Sequence, residues 1–204
     1  SGVGPIASAS SGLTATGIAT ATTQEELNAQ GEQLVNLFLG TGITATEVNL
    51  QGNPQAFGTF TGGAASIGFE NGIILSTGKA IDVVGPNNKG NHGTQHSTTK
   101  VDTDLKSLDI FKNLNTFDPA ILEFKFTPDG DKISFQYVFA SEEYNEYAND
   151  QYNDAFAFFV NGTNVAVLPG TDTPVSINTV NGGKNLGSGA QNPEYFINND
   201  STRT

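Results

Sequence analysis

The stretch AILEFKFTPDGDKISFQYVFA, residues 120–140, decides the fold class. Apolar residues alternate on both sides of Pro128-Asp129-Gly130-Asp131, a cluster of turn formers, so the stretch predicts two antiparallel strands around that turn. Ile133, Phe135, Tyr137 and Phe139 fall on one face, and Val138 and Ala140 help cover the other. Further along, DAFAFFVNGTNVAVL predicts a second hairpin with Asn161-Gly162 at its tip. Both faces of 155–160 are apolar, which predicts a strand covered on each side. Upstream, GITATEVNLQG, SIGFENGIILSTG and AIDVVG are short strand-like runs cut by Gly and Asn.

One helix precedes these strands. Thr23 and Glu26 have capping-box spacing, and Leu27, Leu34, Val35 and Phe38 form one stripe, predicting a helix over 24–39 that Gly40 to Gly42 would end. Gly31 weakens its interior. Residues 1–22 are small and polar and read as a linker or N-terminal arm. The chain is therefore expected to be mainly β, an antiparallel β-sandwich with one N-terminal helix packed against it, occupying 23–204 as one domain.

Composition narrows the function. Nine basic against 21 acidic residues give a net charge of −12, which argues against nucleic acid and anionic membranes as partners. The absence of cysteine excludes disulfides and thiolate metal sites. No apolar run approaches the roughly 20 residues that cross a bilayer, so membrane insertion is not expected. Nothing at Ser1 resembles a signal peptide, so an exported protein would be represented here by a processed or excised piece. Low charge density with 24 glycines and 14 phenylalanines describes a turn-rich β protein and hints at the cell exterior.

The acidic residues are not scattered. Between the predicted strands ending at Phe139 and starting at Ala155 lie Glu142, Glu143, Glu146, Asp150 and Asp154, with Asn145, Asn149 and Asn153 among them. Only Lys132 is near in sequence, so these carboxylates would repel one another unless something compensated. Hard divalent cations take six to eight oxygens from carboxylates, amides and carbonyls, and Ca2+ is the economical partner. A solvated acidic loop is the bland alternative. It loses ground because Phe139 and Ala155 draw both loop ends into the core, and Tyr144, Tyr147 and Tyr152 are too aromatic for a free loop. The spacing matches neither an EF-hand nor a glycine-rich calcium repeat. Asp102 and Asp104 form a second, weaker oxygen cluster that also suits a decorated turn. Asp129, Asp131 and Asp172 sit at turns, where Asp is common for local hydrogen bonding.

Enzyme chemistry finds little purchase. His92 and His96 are four apart, as on a zinc-binding helix, but NKGNHGTQHSTT does not favour a helix and offers no third ligand. No nucleophile elbow accompanies these two histidines. Glu142 and Glu143 are adjacent and would point to opposite faces of an extended chain, a poor acid/base pair. The sequon Asn161-Gly162-Thr163 fills a tight turn.

Four stretches together resemble a known family. They are NLFLGTGITATEVNLQGNPQAFGTFTGG (36–63), IGFENGIILSTGKAIDVVGPN (67–87), the run from FDPAILEF to FFVNG (117–162), and NVAVLPGTDTPVSINTVN (164–181). With FASEEY (139–144) and YNDAFAFF (152–159) as its most specific parts, the chain resembles the choice-of-anchor L domain of secreted and surface bacterial proteins over about residues 24–199. Similar domains occur near the tips of giant calcium-dependent adhesins, including the ice-binding type, where they capture the ends of surface proteins. The resemblance implies a calcium-rich region holding Glu142, Glu143, Asp150, Asn153 and Asp154. It implies an extracellular or cell-surface location and a peptide or protein ligand. It also implies further strands after NPEYFINND, expected from a C-terminal fragment or a neighbouring copy. The reading is a non-enzymatic, calcium-dependent ligand-binding module of an exported adhesin. The alternatives are a structural subunit of an extracellular filament or matrix, a glycan-binding module in which Tyr144, Tyr147 and Tyr152 stack on sugars, and, last, a calcium-assisted hydrolase.

Overall fold

A computed structural model describes residues 12–18, 20–85, 93–98, 102–112 and 115–198. Most of the arm 1–22, His92 and most of the polar loop 86–100 lie outside the described residues. The chain divides into two compact units: Ser1–Pro86, Gly93–Val101 and Thr116–Gln136 form one, and Asn87–His92, Asp102–Asn115 and Tyr137–Thr204 the other.

In the first unit the predicted helix is present as α1 (Gln24–Phe38). Thr23 and Glu26 cap it reciprocally, each side chain accepting from the other's backbone N–H. Leu27, Leu34 and Val35 are buried on one face. Gly31 is buried there too, and the reason is contact: a Cβ would sit 3.0 Å from Val48 Cγ1 and 3.1 Å from Leu50 Cβ. Both neighbours belong to β2 (Ile43–Gln51). The helix thus lies close on the strand because residue 31 has no side chain. Gly31→Ala gains about 1 kcal/mol in helix propensity but crowds the contact at a cost of about 1–3 kcal/mol. A net loss of about 1 kcal/mol is expected from urea denaturation midpoints; a gain would show that Val48 yields.

The strands are β1 (Thr14–Gly17), β2, β3 (Phe57–Thr61), β4 (Asn71–Leu75) and β5 (Ile121–Pro128). Sheet order is β1-β3-β4 in one antiparallel sheet and β2-β5 in another. Thr14–Gly17, inside the stretch read as an arm, is therefore an edge strand, paired Thr14 to Thr61. β2 carries a bulge between Thr46 and Asn49, where Glu47 adopts φ 53° and its carboxylate meets Lys125 Nζ at 2.6 Å. Leu27, Leu34, Leu50, Ala56 and Phe57 form the core, with Ile73, Ala120 and Leu122 around them. Asp118 fastens a loop by accepting from the N–H groups of His96, Ser97 and Thr98 and from the Thr98 hydroxyl. Despite partial desolvation, these donors hold its carboxyl below the usual range.

The second unit contains α2 (Thr103–Ser107) and four two-residue strands: β6 (Ala155–Phe156), β7 (Phe159–Val160), β8 (Thr163–Asn164) and β9 (Val175–Ser176). β7 and β8 make the hairpin expected at Asn161-Gly162, both of which have positive φ, 49° and 79°. β6 pairs with β9. Leu168, Val175 and Val180 form this unit's core, with Tyr137, Phe139 and Phe196 packed on it.

The architecture corrects the sandwich. The protein is mostly β with its N-terminal helix packed against a sheet, but the sheets are small and open rather than closed on one another. The predicted hairpin at Pro128–Asp131 is also absent. β5 pairs with β2, with partners from 70 (Gln51 to Ile121) to 85 (Ile43 to Pro128) residues apart, and 132–140 joins no ladder. Phe135, Tyr137 and Phe139 keep the alternation, half-buried between exposed neighbours. Among the described residues no helix is long and apolar enough to cross a membrane.

Candidate functional site

The carboxylate-rich loop lies wholly in the second unit, and its residues have sharply different surroundings. Residues 142–149 form consecutive turns; Tyr147 N–H donates to Glu143 O and Asp150 N–H to Tyr147 O. The coiling is compact because Asn145 and Ala148 are buried. At the loop's exit, Ile177 N–H donates to Asp154 O at 3.0 Å, fastening Asp154 beside β6 and β9.

Asp154 and Glu143 are the electrostatic centre. The Asp154 carboxylate accepts from the Ser141 hydroxyl at 2.9 Å, and Glu143 N–H donates to the same Ser141 oxygen at 3.2 Å. Desolvation raises the Asp154 pKa; the Ser141 hydrogen bond opposes this and the charge of Glu142 reinforces it. Glu143 is pushed up to about 7, first by desolvation and then by the charges of Asp154, Glu142 and Glu146. Burial, with Asp154 nearby, raises the Tyr144 phenol as well. Negative charge is thus concentrated here, and the hydrogen-bond donor at its centre is a neutral hydroxyl. Such a cluster favours either a proton or a cation.

Other candidates are engaged elsewhere. Asp150 bonds Lys184 Nζ at 2.6 Å, and this bond, the Gln151 N–H and the lysine charge hold its carboxyl below the usual range. Asn153 Oδ1 accepts from Asn178 N–H at 3.0 Å. Asp102 Oδ1 accepts from Leu105 N–H at 2.6 Å as the N-cap of α2, with Asp104 in its first turn. Among the described residues, no three Asp, Glu or His side chains are gathered closely enough to hold one ion as they stand. Glu142, Glu143 and Asp154 supply hard oxygen donors, a set that fits calcium in its chemistry.

The tyrosines divide similarly. Tyr144 turns inward: its hydroxyl donates to Val180 O at 2.5 Å and its ring lies 5.0 Å from that of Phe196. Tyr147 and Tyr152 meet edge to face at 5.1 Å, and Tyr152 remains exposed.

Sequence reasoning missed the residues that hold the loop. Asn181 is fully buried. Its Nδ2 donates to Asn149 Oδ1 and Ile177 O, and its Oδ1 accepts from the N–H groups of Gly183 and Gln191. Asn178 Nδ2 donates to Asp150 O at 2.9 Å. Asn181 precedes a Gly-Gly pair, which signals a turn and nothing about burial. The buried Oδ1 atoms of Asn145 and Asn178 have no hydrogen-bond donor.

The Choice-of-anchor L domain model matches residues 21–204 of the chain. No curated protein and no solved structure matches it.

Proposed function

The chain belongs to the Choice-of-anchor L family, and from that premise we propose that it is a calcium-dependent ligand-binding module of an exported bacterial adhesin. It would work outside the cell, attaching its bearer to a peptide or protein on another surface. The observation that carries this reading is the pair Glu143 and Asp154: two carboxylates whose ionisation is opposed by burial, that of Glu143 also by the charges of Asp154, Glu142 and Glu146, and that of Asp154 by the charge of Glu142. Retaining such a pair costs stability unless a cation offsets it. Glu142, Glu143 and Asp154 would hold the ion, with the Ser141 hydroxyl beside them. Bound calcium would neutralise the loop and offer a positive centre to an anionic ligand group such as a peptide carboxylate.

The role is one of binding rather than catalysis. A glycan platform is less favoured, because the Tyr144 hydroxyl and ring are committed to Val180 and Phe196.

Calcium titration calorimetry on EDTA-stripped protein tests the proposal, with a melting curve at each end point. Saturable binding at 100-fold excess over Kd adds about 2.7 kcal/mol of stability, a rise in Tm of roughly 5–10 °C for a chain of this size. Peptides with free termini, and glycans as the competing class, are then screened with calcium present. No heat and no thermal shift would sink the calcium reading and move the filament subunit to first place.

A further inference from the structure

We infer that the outer edge of β5 is a strand-acceptor site and that its occupant is the chain's own segment Asp131–Gln136, a strap that closes on it about Asp129-Gly130.

The register of the β2-β5 ladder sets this geometry. Asp129 N–H donates to Gly42 O, making that a hydrogen-bonded pair, and Ile43 faces Pro128. Because hydrogen-bonded and non-bonded pairs alternate in an antiparallel ladder, the Phe126 backbone faces away from β2. At the other end Leu50 also faces away from β5, since its N–H donates to Asn28 Oδ1 and its carbonyl accepts from Gln24 Nε2. Its partner Leu122 therefore points outward, and Phe124 lies midway in the same alternation. Helix α1 thus caps the outward backbone of β2 at Leu50, whereas β5 pairs with β2 alone among the described strands.

The strap fits that edge in register and in face. A two-residue turn at Asp129-Gly130 places Pro128 opposite Asp131, Phe126 opposite Ile133 and Phe124 opposite Phe135. These are the hydrogen-bonded pairs that the outward groups of Phe126 and Phe124 require. Pro128, which has no N–H to donate, falls at an outward position where β2 loses nothing. Ile133 and Phe135 join Phe126 and Phe124 on the apolar face, while Ser134 joins Lys125 and Gln136 joins Glu123 on the polar one. A one-residue slip would reverse every side chain. In the structure 132–136 joins no ladder, and neither Asp129 nor Gly130 has the positive φ of a type I′ turn. A Cβ at Gly130 would meet nothing within 4 Å, so the turn has room to rotate. A second copy is disfavoured as occupant by the net charge of −12 on each chain. Closure covers an edge that pairs with no further strand among the described residues and that otherwise invites association between chains.

Absence of native cysteine allows a direct test by disulfide trapping in the full chain. Lys125→Cys with Ser134→Cys places two exposed residues at a non-bonded cross-strand pair, where Cβ atoms approach to about 4.5–5.5 Å. It is expected to oxidise at least about tenfold faster than Lys125→Cys with Gln136→Cys, a diagonal offset of about 7–8 Å. Lys125→Cys with Ile133→Cys, on opposite faces, is the slip control. Equal rates, a faster control, or no cross-link in any pair would overturn the strap. Disulfide-linked dimers dominating in dilute protein would overturn it in favour of a second copy. Amide exchange in the unmodified protein is the independent readout. Protection at Phe124, Phe126 and Ile133 is expected, and unprotected exchange at all three contradicts closure.

Discussion

In EDTA at pH 8, Glu143→Gln is expected to be more stable than the parent protein, and in saturating calcium less stable. The reversal follows from the state of the carboxylate. Desolvation, then Asp154, Glu142 and Glu146, push Glu143 up to about 7, from an ordinary value near 4.5. A folded-state pKa above the unfolded one means that the folded protein binds the proton more tightly. Stability from this group is fully present below pH 4.5 and is lost as pH rises through 7. Glutamine carries no charge and escapes that loss. Solvent screening around the half-buried group holds the difference to about 1–2 kcal/mol at pH 8, and it vanishes at pH 4. Calcium changes the sign because the charge that repels Asp154 is the charge that attracts the ion. Asp150→Asn is the control: its carboxylate is committed to Lys184, so calcium's stabilising effect should survive its removal. Melting curves of the three proteins at pH 4, 6 and 8, with EDTA or calcium, decide the matter. A Glu143→Gln protein that gains as much from calcium as its parent would exclude Glu143 as a ligand.

Asn181→Ala should cost more stability than any substitution among the acidic residues. All four hydrogen-bonding positions of the Asn181 amide are satisfied inside the second unit. Truncation leaves the buried Gly183 N–H and Ile177 carbonyl to find new partners. An unsatisfied buried group costs about 1–3 kcal/mol, so a loss of about 3–4 kcal/mol is expected, or a fall in Tm of roughly 6–16 °C. The damage should reach the loop, because Ile177 also donates to Asp154 O. Asn181→Asp separates packing from bonding. It keeps the shape and both acceptor positions, yet turns an anionic oxygen toward Ile177 O, which the amide nitrogen meets at 2.8 Å. Its loss should match or exceed that of alanine at pH 8 and shrink on acidification, as a protonated carboxyl regains one donor. Two variants that melt within about 1 °C of the parent would show the network to be dispensable.

These two sites were not equally visible in the sequence. Glu143 stood out because five carboxyl groups crowd one short interval and only Lys132 is near in sequence. Asn181 did not, because burial of an amide depends on what folds over it. The same division separates the rest of the candidate site. The sequence marked Asp150 and Asn153 beside Glu143 as equivalent oxygen donors. Only the fold brings Lys184 to Asp150 and Asn178 to Asn153, from 34 and 25 residues away.

What the sequence determined by itself was local. The capping box of Thr23 and Glu26, the buried stripe of α1 and the positive-φ turn at Asn161-Gly162 depend on residues within a few positions of one another. Their physics is complete in short peptides of the chain. The tertiary structure decided pairing. Residues 121–128 carry the alternation of a strand whichever neighbour they choose, and the sequence pointed to 132–140 across the nearest turn. In the structure β5 pairs with β2, on which α1 is seated at Gly31, and 132–140 joins no ladder. Alternation specifies which face of a strand is buried, but every strand offers the same backbone donors and acceptors. The choice among partners rests on side-chain packing between segments distant in sequence, and that is settled only when the chain has folded.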